Sequence, residues 1–126
     1  MGIETSDELG GAGASFTSAI VAIEELARVD PSVSAFCNIH NTLVNNTFRK
    51  YGTKQQRYMW LPLLATEKVG SFCLSESASG SDAFALQTRA MKERDHWIIN
   101  GSKGYVFSLH FGFLLIWCPQ MDHEQL

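Results

Sequence analysis

The sequence predicts an α+β fold, a helical layer followed by the opening strands of an antiparallel β domain. Three observations carry this prediction. Apolar residues recur at helical spacing until about Val69, where the chain divides. Past Gly70 the pattern changes to short apolar runs separated by turn residues. No β–α–β alternation and no internal repeat is present.

Residues 14–29 place Phe16, Ile20, Ile23 and Ala27 on one helical stripe, with Glu24, Glu25 and Arg28 elsewhere on the surface. Asp30-Pro31 reads as a stop and restart, because Asp caps a helix and Pro suits its first position. A second helix is expected from Pro31 to Tyr51. Its stripe is Val33, Phe36, Cys37, His40, Leu43, Val44, Thr47, Phe48 and Tyr51, with Gly52 as a left-handed stop. Thr53 and Gln56 form a capping box, so a third helix should start there and run to about Trp60. Pro62 is expected to end or kink it. Ser71–Leu74 and Thr88–Met91 read as strands, and 96–107 as a hairpin turning at Asn100-Gly101. Phe111–Cys118 reads as a last buried strand, before a polar and unpatterned tail. A sheet of three or four strands leaves open edges, so the β domain looks unfinished and the chain reads as a fragment.

Of the 126 residues, 45% are hydrophobic, which excludes a disordered chain. A formal charge of −3, with no run of Lys or Arg, argues against nucleic-acid or anionic-membrane partners. The longest apolar run is too short to span a bilayer. Three widely spaced cysteines, Cys37, Cys73 and Cys118, have no metal-ligand spacing and read as reduced, mostly buried thiols. The first residues hold neither a signal peptide nor a transit pattern. Gly10-Gly11-Ala12-Gly13 lacks a preceding strand and the third glycine of a dinucleotide fingerprint, so it reads as a flexible lead into a helix. His40, on an apolar stripe, reads as a packed or hydrogen-bonded core histidine. No metal set or hydrolase triad can be built from the remaining histidines. Glu76 and Asp82 flank a serine-rich loop, where acids cap backbone N–H groups or face solvent more often than they transfer protons.

That loop lies in GSFCLSESASGSD, residues 70–82, which resembles the flavin-binding signature of acyl-CoA dehydrogenases. GGAGAS, IEELARVDPSV, RKYGTKQQ, LPLLATEKVGSFCLSE, ALQTRA and INGSK fall in that family's order and spacing over about residues 1–115, nearest to its short/branched-chain members. The resemblance implies an N-terminal-type helical region over 1–69, a partial middle β-barrel domain over 70–118, and an unmatched tail over 119–126. It implies FAD as cofactor. Phe72, Cys73, Leu74 and Ser75 would lie against the flavin ring, Glu76, Ser77, Ala78, Ser79 and Gly80 would form the turn, and Ser81 would touch both flavin and acyl-CoA. Lys103-Gly104-Tyr105-Val106-Phe107 would be the second flavin-contacting motif, with Tyr105, Val106 and Phe107 as its contacts to the cofactor. Phe36, Ile39 and His40 would help form the acyl cavity. A flavin ring needs such an apolar wall with a few aimed donors.

The activity implied is α,β-dehydrogenation of a short or branched-chain acyl-CoA. Electrons would pass to electron-transfer flavoprotein, within a homotetramer of the mitochondrial matrix, with no metal. Three departures stand against full activity. Ala78 replaces a family glycine and would be strained at positive φ. Phe107 removes a hydroxyl expected near the flavin. The family's catalytic glutamate belongs to a C-terminal bundle with no counterpart in these residues. The chain is therefore expected to be inactive alone, and the rival expectation is a non-enzymatic remnant or interaction module.

Overall fold

A computed structural model describes residues 1–104, the backbone of 112–116 and of 120–121, and the exposure of Ile116. The fold is α+β, and the described residues form two units, the first holding Met1–Phe72 with residues 112–114 and the second holding residues 73–104 with 115–116 and 120–121.

The first unit opens with a 3-10 turn, Asp7–Leu9, closed by Gly10 in the left-handed conformation (φ 77°). The glycine-rich segment after it is ordered, against the expectation of a flexible lead. Ala12, Gly13 and Ala14 donate their N–H groups to the carbonyls of Gly2, Thr5 and Ile3. A side chain at Gly11 would collide with the Thr5 carbonyl, so glycine there serves close backbone approach. Helix α1 is Phe16–Val29, with Ser15 as N-cap accepting from the Ser18 N–H. The stripe expected to face inward is mostly exposed: Phe16 is 59% and Ile20 42% accessible. The main neighbour of α1 is α2, and only Ala19 of the helix is buried.

Asp30 ends α1 and caps α2, Pro31–Asn38, as Asp-Pro predicts. The helix then widens into a π-helical segment, Ile39–Asn45, and returns to α geometry in α3, Asn46–Tyr51. The expected stripe keeps its inner members through the widening: Cys37, His40, Val44 and Phe48 are buried. Val33, Leu43 and Tyr51 are exposed, while His40, Asn41, Val44, Asn45 and Phe48 are buried. The π segment adds Asn41 and Asn45, which the apolar stripe did not include, to the inner face. Gly52 is extended (φ −67°, ψ 140°), not left-handed. The Thr53–Gln56 capping box is present, and α4 runs Lys54–Thr66 straight through Pro62, beyond the expected stop at Trp60. Burial explains the continuation: Leu61, Leu64 and Ala65 on its inner face are covered, and Leu61 and Leu64 join Val44 and Phe48 as the core. Burying such side chains outweighs the ~3 kcal/mol that proline costs inside a helix.

Strand β1 is Val69–Cys73 and pairs with β4, Gly112–Ile116. In the second unit β2, Arg89–Glu93, pairs antiparallel with β3, His96–Asn100, in register Arg89 with Asn100 and Glu93 with His96. The hairpin turn is thus Arg94-Asp95, with Arg94 at φ 55°, and not Asn100-Gly101. Gly101 has φ 157° and lies against Thr88, whose Cα would stand 2.6 Å from an added Cβ. Glycine is needed there for close approach. Residues 101–104 carry no strand, and the rest of the expected hairpin, with Tyr105, Val106 and Phe107, falls outside the described residues. A short β5, Gln120–Met121, in the segment read as unpatterned, pairs parallel with β2.

Candidate functional site

The serine-rich loop leaves β1 and folds back on itself in the second unit. Glu76 and Ser79 exchange backbone hydrogen bonds, N to O at 2.9 Å and 3.1 Å. The Ser79 hydroxyl donates to the Asp82 carbonyl at 2.6 Å, and Asp82 Oδ1 accepts from the Phe84 N–H at 3.0 Å. The loop is a closed turn, not a solvated linker. Ala78 is not at positive φ, so replacing the family glycine brings no backbone strain.

Glu76 is the hub of this turn. Its Oε1 accepts from Lys103 Nζ at 2.7 Å and from the Thr88 N–H at 3.1 Å, and its Oε2 from the Gln87 N–H at 2.6 Å. The carboxylate and the ammonium are 4% and 9% exposed. Lys103, with donors from Thr88 and Gln87, holds the Glu76 carboxyl down to about 2 although burial opposes it. A carboxylate so engaged is not a general base. Lys103 Nζ also donates to the Leu74 carbonyl at 3.0 Å, and the Gly104 N–H donates to the Ser75 carbonyl at 2.9 Å. The resemblance places Lys103 at the head of the second flavin-contacting motif, but nothing in the sequence pairs it with Glu76. Its 27-residue separation from Glu76 gives no periodic signal.

The other predicted residues divide by exposure. Ser77, Ala78, Gly80 and Ser81 are exposed, while Leu74 and Ser75 are half-buried. A side chain at Gly80 would meet nothing within 4 Å. Among the described residues, the N–H and hydroxyl of Ser75 and Ser81 have no hydrogen-bond partner. Cys73 is buried at 1% exposure, and burial pushes its thiol pKa up. Cys37 is likewise buried and free. Phe72, half-buried, packs against the core of the first unit.

Phe36, Ile39 and His40 lie in the first unit. Phe36 and Ile39 are half-buried. His40 has no exposed surface. Its Nε2 lies 2.9 Å from the Leu64 carbonyl, and its Nδ1 accepts from the Gly70 N–H at 3.1 Å. These contacts fix the neutral tautomer with the proton on Nε2. Burial lowers its pKa, against the pull of the Leu64 carbonyl. Both nitrogens are thus satisfied by backbone, and neither is left for a ligand. Among the described residues no cluster of His, Cys, Asp or Glu could hold a metal ion, and no helix is long and apolar enough to cross a membrane.

Comparison with known proteins bears on this geometry. The family described as "Acyl-CoA dehydrogenase, N-terminal domain" matches residues 1–68. The chain is 52% identical over 122 residues to the short/branched chain specific acyl-CoA dehydrogenase of Bos taurus, covering 97% of this chain and 28% of that protein. It is 49% identical over 126 residues to a probable short/branched chain specific acyl-CoA dehydrogenase of Dictyostelium discoideum, covering 99% and 30%. An acyl-CoA dehydrogenase of Bacillus anthracis complexed with FAD superposes with TM-score 0.83 at 27% identity, over 95% of this chain and 21% of that one. A glutaryl-CoA dehydrogenase of Mycobacterium smegmatis in complex with FADH2 gives 0.79 at 31% identity, over 84% and 28%. The chain therefore spans under a third of the length of these relatives. The family match over the helical unit, the relatives' identity through the serine-rich loop and the shared fold lead to one conclusion: the chain belongs to the acyl-CoA dehydrogenase family.

Proposed function

We propose that this chain forms the helical and first β part of an FAD-dependent oxidoreductase that dehydrogenates short or branched-chain acyl-CoA thioesters between the α and β carbons. The observation that carries the reading is the loop after β1. The inward Glu76, the buried Ser79 and the exposed Asp82 are consumed in holding its shape, while Ser75 and Ser81 keep unspent donors and Gly80 leaves open space. Donors held still beside small residues suit a flavin with its pyrophosphate. The residues present fit that group.

In this reading the half-buried Phe72 and Leu74 form the apolar wall with the buried Cys73 packed behind them, and the Ser75 N–H and hydroxyl meet the polar edge of the ring. Ser77, Ala78, Gly80 and Ser81 let the backbone approach the phosphates, and Ser81 also meets the acyl-CoA. Glu76 and Ser79 hold the turn from inside. Tyr105, Val106 and Phe107 supply the second contact to the ring. Phe36 and Ile39 belong to the wall of the acyl cavity, and His40 supports that wall from behind. The flavin, when bound, supplies the hydride acceptor. No carboxylate of these residues is assigned as the base that removes the α proton. Electron-transfer flavoprotein as acceptor, a homotetramer and a mitochondrial matrix location complete the proposal, supported by relatives described as mitochondrial.

The test is flavin retention. The purified chain is saturated with FAD, freed of unbound flavin and examined by visible absorbance. A retained, red-shifted flavin band is expected. A colourless protein would overturn flavin binding by this chain and leave a non-enzymatic role for it.

A further inference from the structure

Three consecutive residues of the loop are gripped from one short segment. Lys103 Nζ donates to the Leu74 carbonyl at 3.0 Å and to Glu76 Oε1 at 2.7 Å. The next residue, Gly104, donates its N–H to the Ser75 carbonyl at 2.9 Å. Ser75 lies between the two groups that the ammonium holds, and its own N–H and hydroxyl remain unspent among the described residues. The ammonium is almost fully covered, with 9% of its side chain exposed. A covered cation of this kind is costly unless each of its bonds is made.

We propose that Lys103 is a positioning residue: by fixing the Leu74 carbonyl and the Glu76 carboxylate together, it aims the Ser75 N–H and hydroxyl at the bound flavin ring. The inference rests on the flavin reading above. A lysine does this where a neutral donor would not. Its three N–H donors reach two acceptors on either side of one residue, and the charge strengthens both bonds. The demand on Ser75 is steep, because a donor displaced from a ring edge by a fraction of an ångström loses much of its bond. Glu76 completes the clamp by tying the same point to the N–H groups of Gln87 and Thr88 at the entry to β2.

The experiment compares the unaltered chain with Lys103→Met, Lys103→Arg and the double variant Lys103→Met/Glu76→Gln, which strands no buried charge and so guards against misfolding. Each is titrated with FAD, and the absorption spectrum and reduction potential of the bound flavin are recorded at saturation. Lys103→Met and the double variant are expected to weaken FAD binding roughly ten- to hundredfold, the worth of charge-assisted hydrogen bonds. They should also shift the flavin potential, while Lys103→Arg restores most of both. A purely structural lysine would change stability and leave the potential of the bound flavin where it was. If the unaltered chain binds FAD and the folded Met or double variant matches it in affinity and potential, the positioning role is overturned and the flavin reading stands. If the unaltered chain binds no FAD, the flavin reading fails and this inference falls with it.

Discussion

Acidification is expected to weaken the first unit through His40. The buried ring holds Nδ1 as an acceptor for the Gly70 N–H, so a proton there would set two N–H groups against each other. Burial lowers the pKa in the folded chain, while the unfolded chain titrates near the ordinary value of about 6.5. The unfolded state therefore takes up the proton first. The contribution of His40 is intact above about pH 6.5 and is lost as the pH falls from there towards the lowered folded value. Each full unit between the two values is worth about 1.4 kcal/mol. Replacing the residue gives an independent magnitude. His40→Leu strands the Leu64 carbonyl and the Gly70 N–H where water does not reach. Each stranded group costs about 1–3 kcal/mol, or about 2–6 kcal/mol for the pair, a large share of a typical stability of about 5–15 kcal/mol. Urea unfolding followed by far-UV circular dichroism, at about pH 7.5 and about pH 5, measures both effects. The unaltered chain should lose midpoint on acidification, and His40→Leu should start lower and lose less. Equal losses in the two proteins would refute the reasoning, because the proton would then be binding elsewhere.

Other outcomes follow from the same contacts. Gly70→Ala would drive a methyl into Val44, with Leu64 Cδ2 at 3.2 Å, and should cost about 1–3 kcal/mol. In a double-mutant cycle with Val44→Ala the two losses should fall short of additivity by about 1 kcal/mol or more. Ser15→Ala removes the cap that accepts from the Ser18 N–H and should cost about 1 kcal/mol, read as a lowered thermal midpoint. Glu76 should stay ionised in the folded loop until the pH approaches about 2. Its contribution is present above the ordinary carboxyl value of 4.5 and lost as the pH falls from there towards 2. Amide exchange at Gln87 and Thr88, corrected for its intrinsic pH dependence, should keep its protection at neutral pH and lose it only below that upper value.

Local signals were legible in the sequence, and long-range ones were not. Asp30-Pro31 and Thr53-x-x-Gln56 mark helix ends through bonds within three residues, so their chemistry is written where it acts. Asn100-Gly101 does not form the expected tight turn: Asn100 ends β3 and Gly101 has φ 157°. The run at 89–93 instead claims 96–100, through Arg94-Asp95. The π-helical segment has no compositional mark, so the stripe drawn from Pro31 to Tyr51 contains the buried Cys37, His40, Val44 and Phe48 but not the buried Asn41 and Asn45. The serine-rich loop was found by its likeness to a family, as a run of residues. That Glu76 faces inward to Lys103, while Ser75 keeps its donors, depends on contacts 27 residues apart.

The π-helical segment between α2 and α3 has a consequence for how this sequence can change. Its ends are anchored by separate partners: Asn41 Oδ1 accepts from the Ile3 N–H, and Phe48, in α3, packs in the core. The wide turn stores the spare residue that lets both anchors engage. Deleting one residue of 39–43 would remove that spare residue and let the turn relax to α geometry with Val44 and Phe48 still facing the core, whereas a deletion within α4, α-helical throughout, would rotate everything beyond it by roughly 100°. A one-residue deletion should therefore be tolerated better in this stretch than in α4, which has no residue to give up.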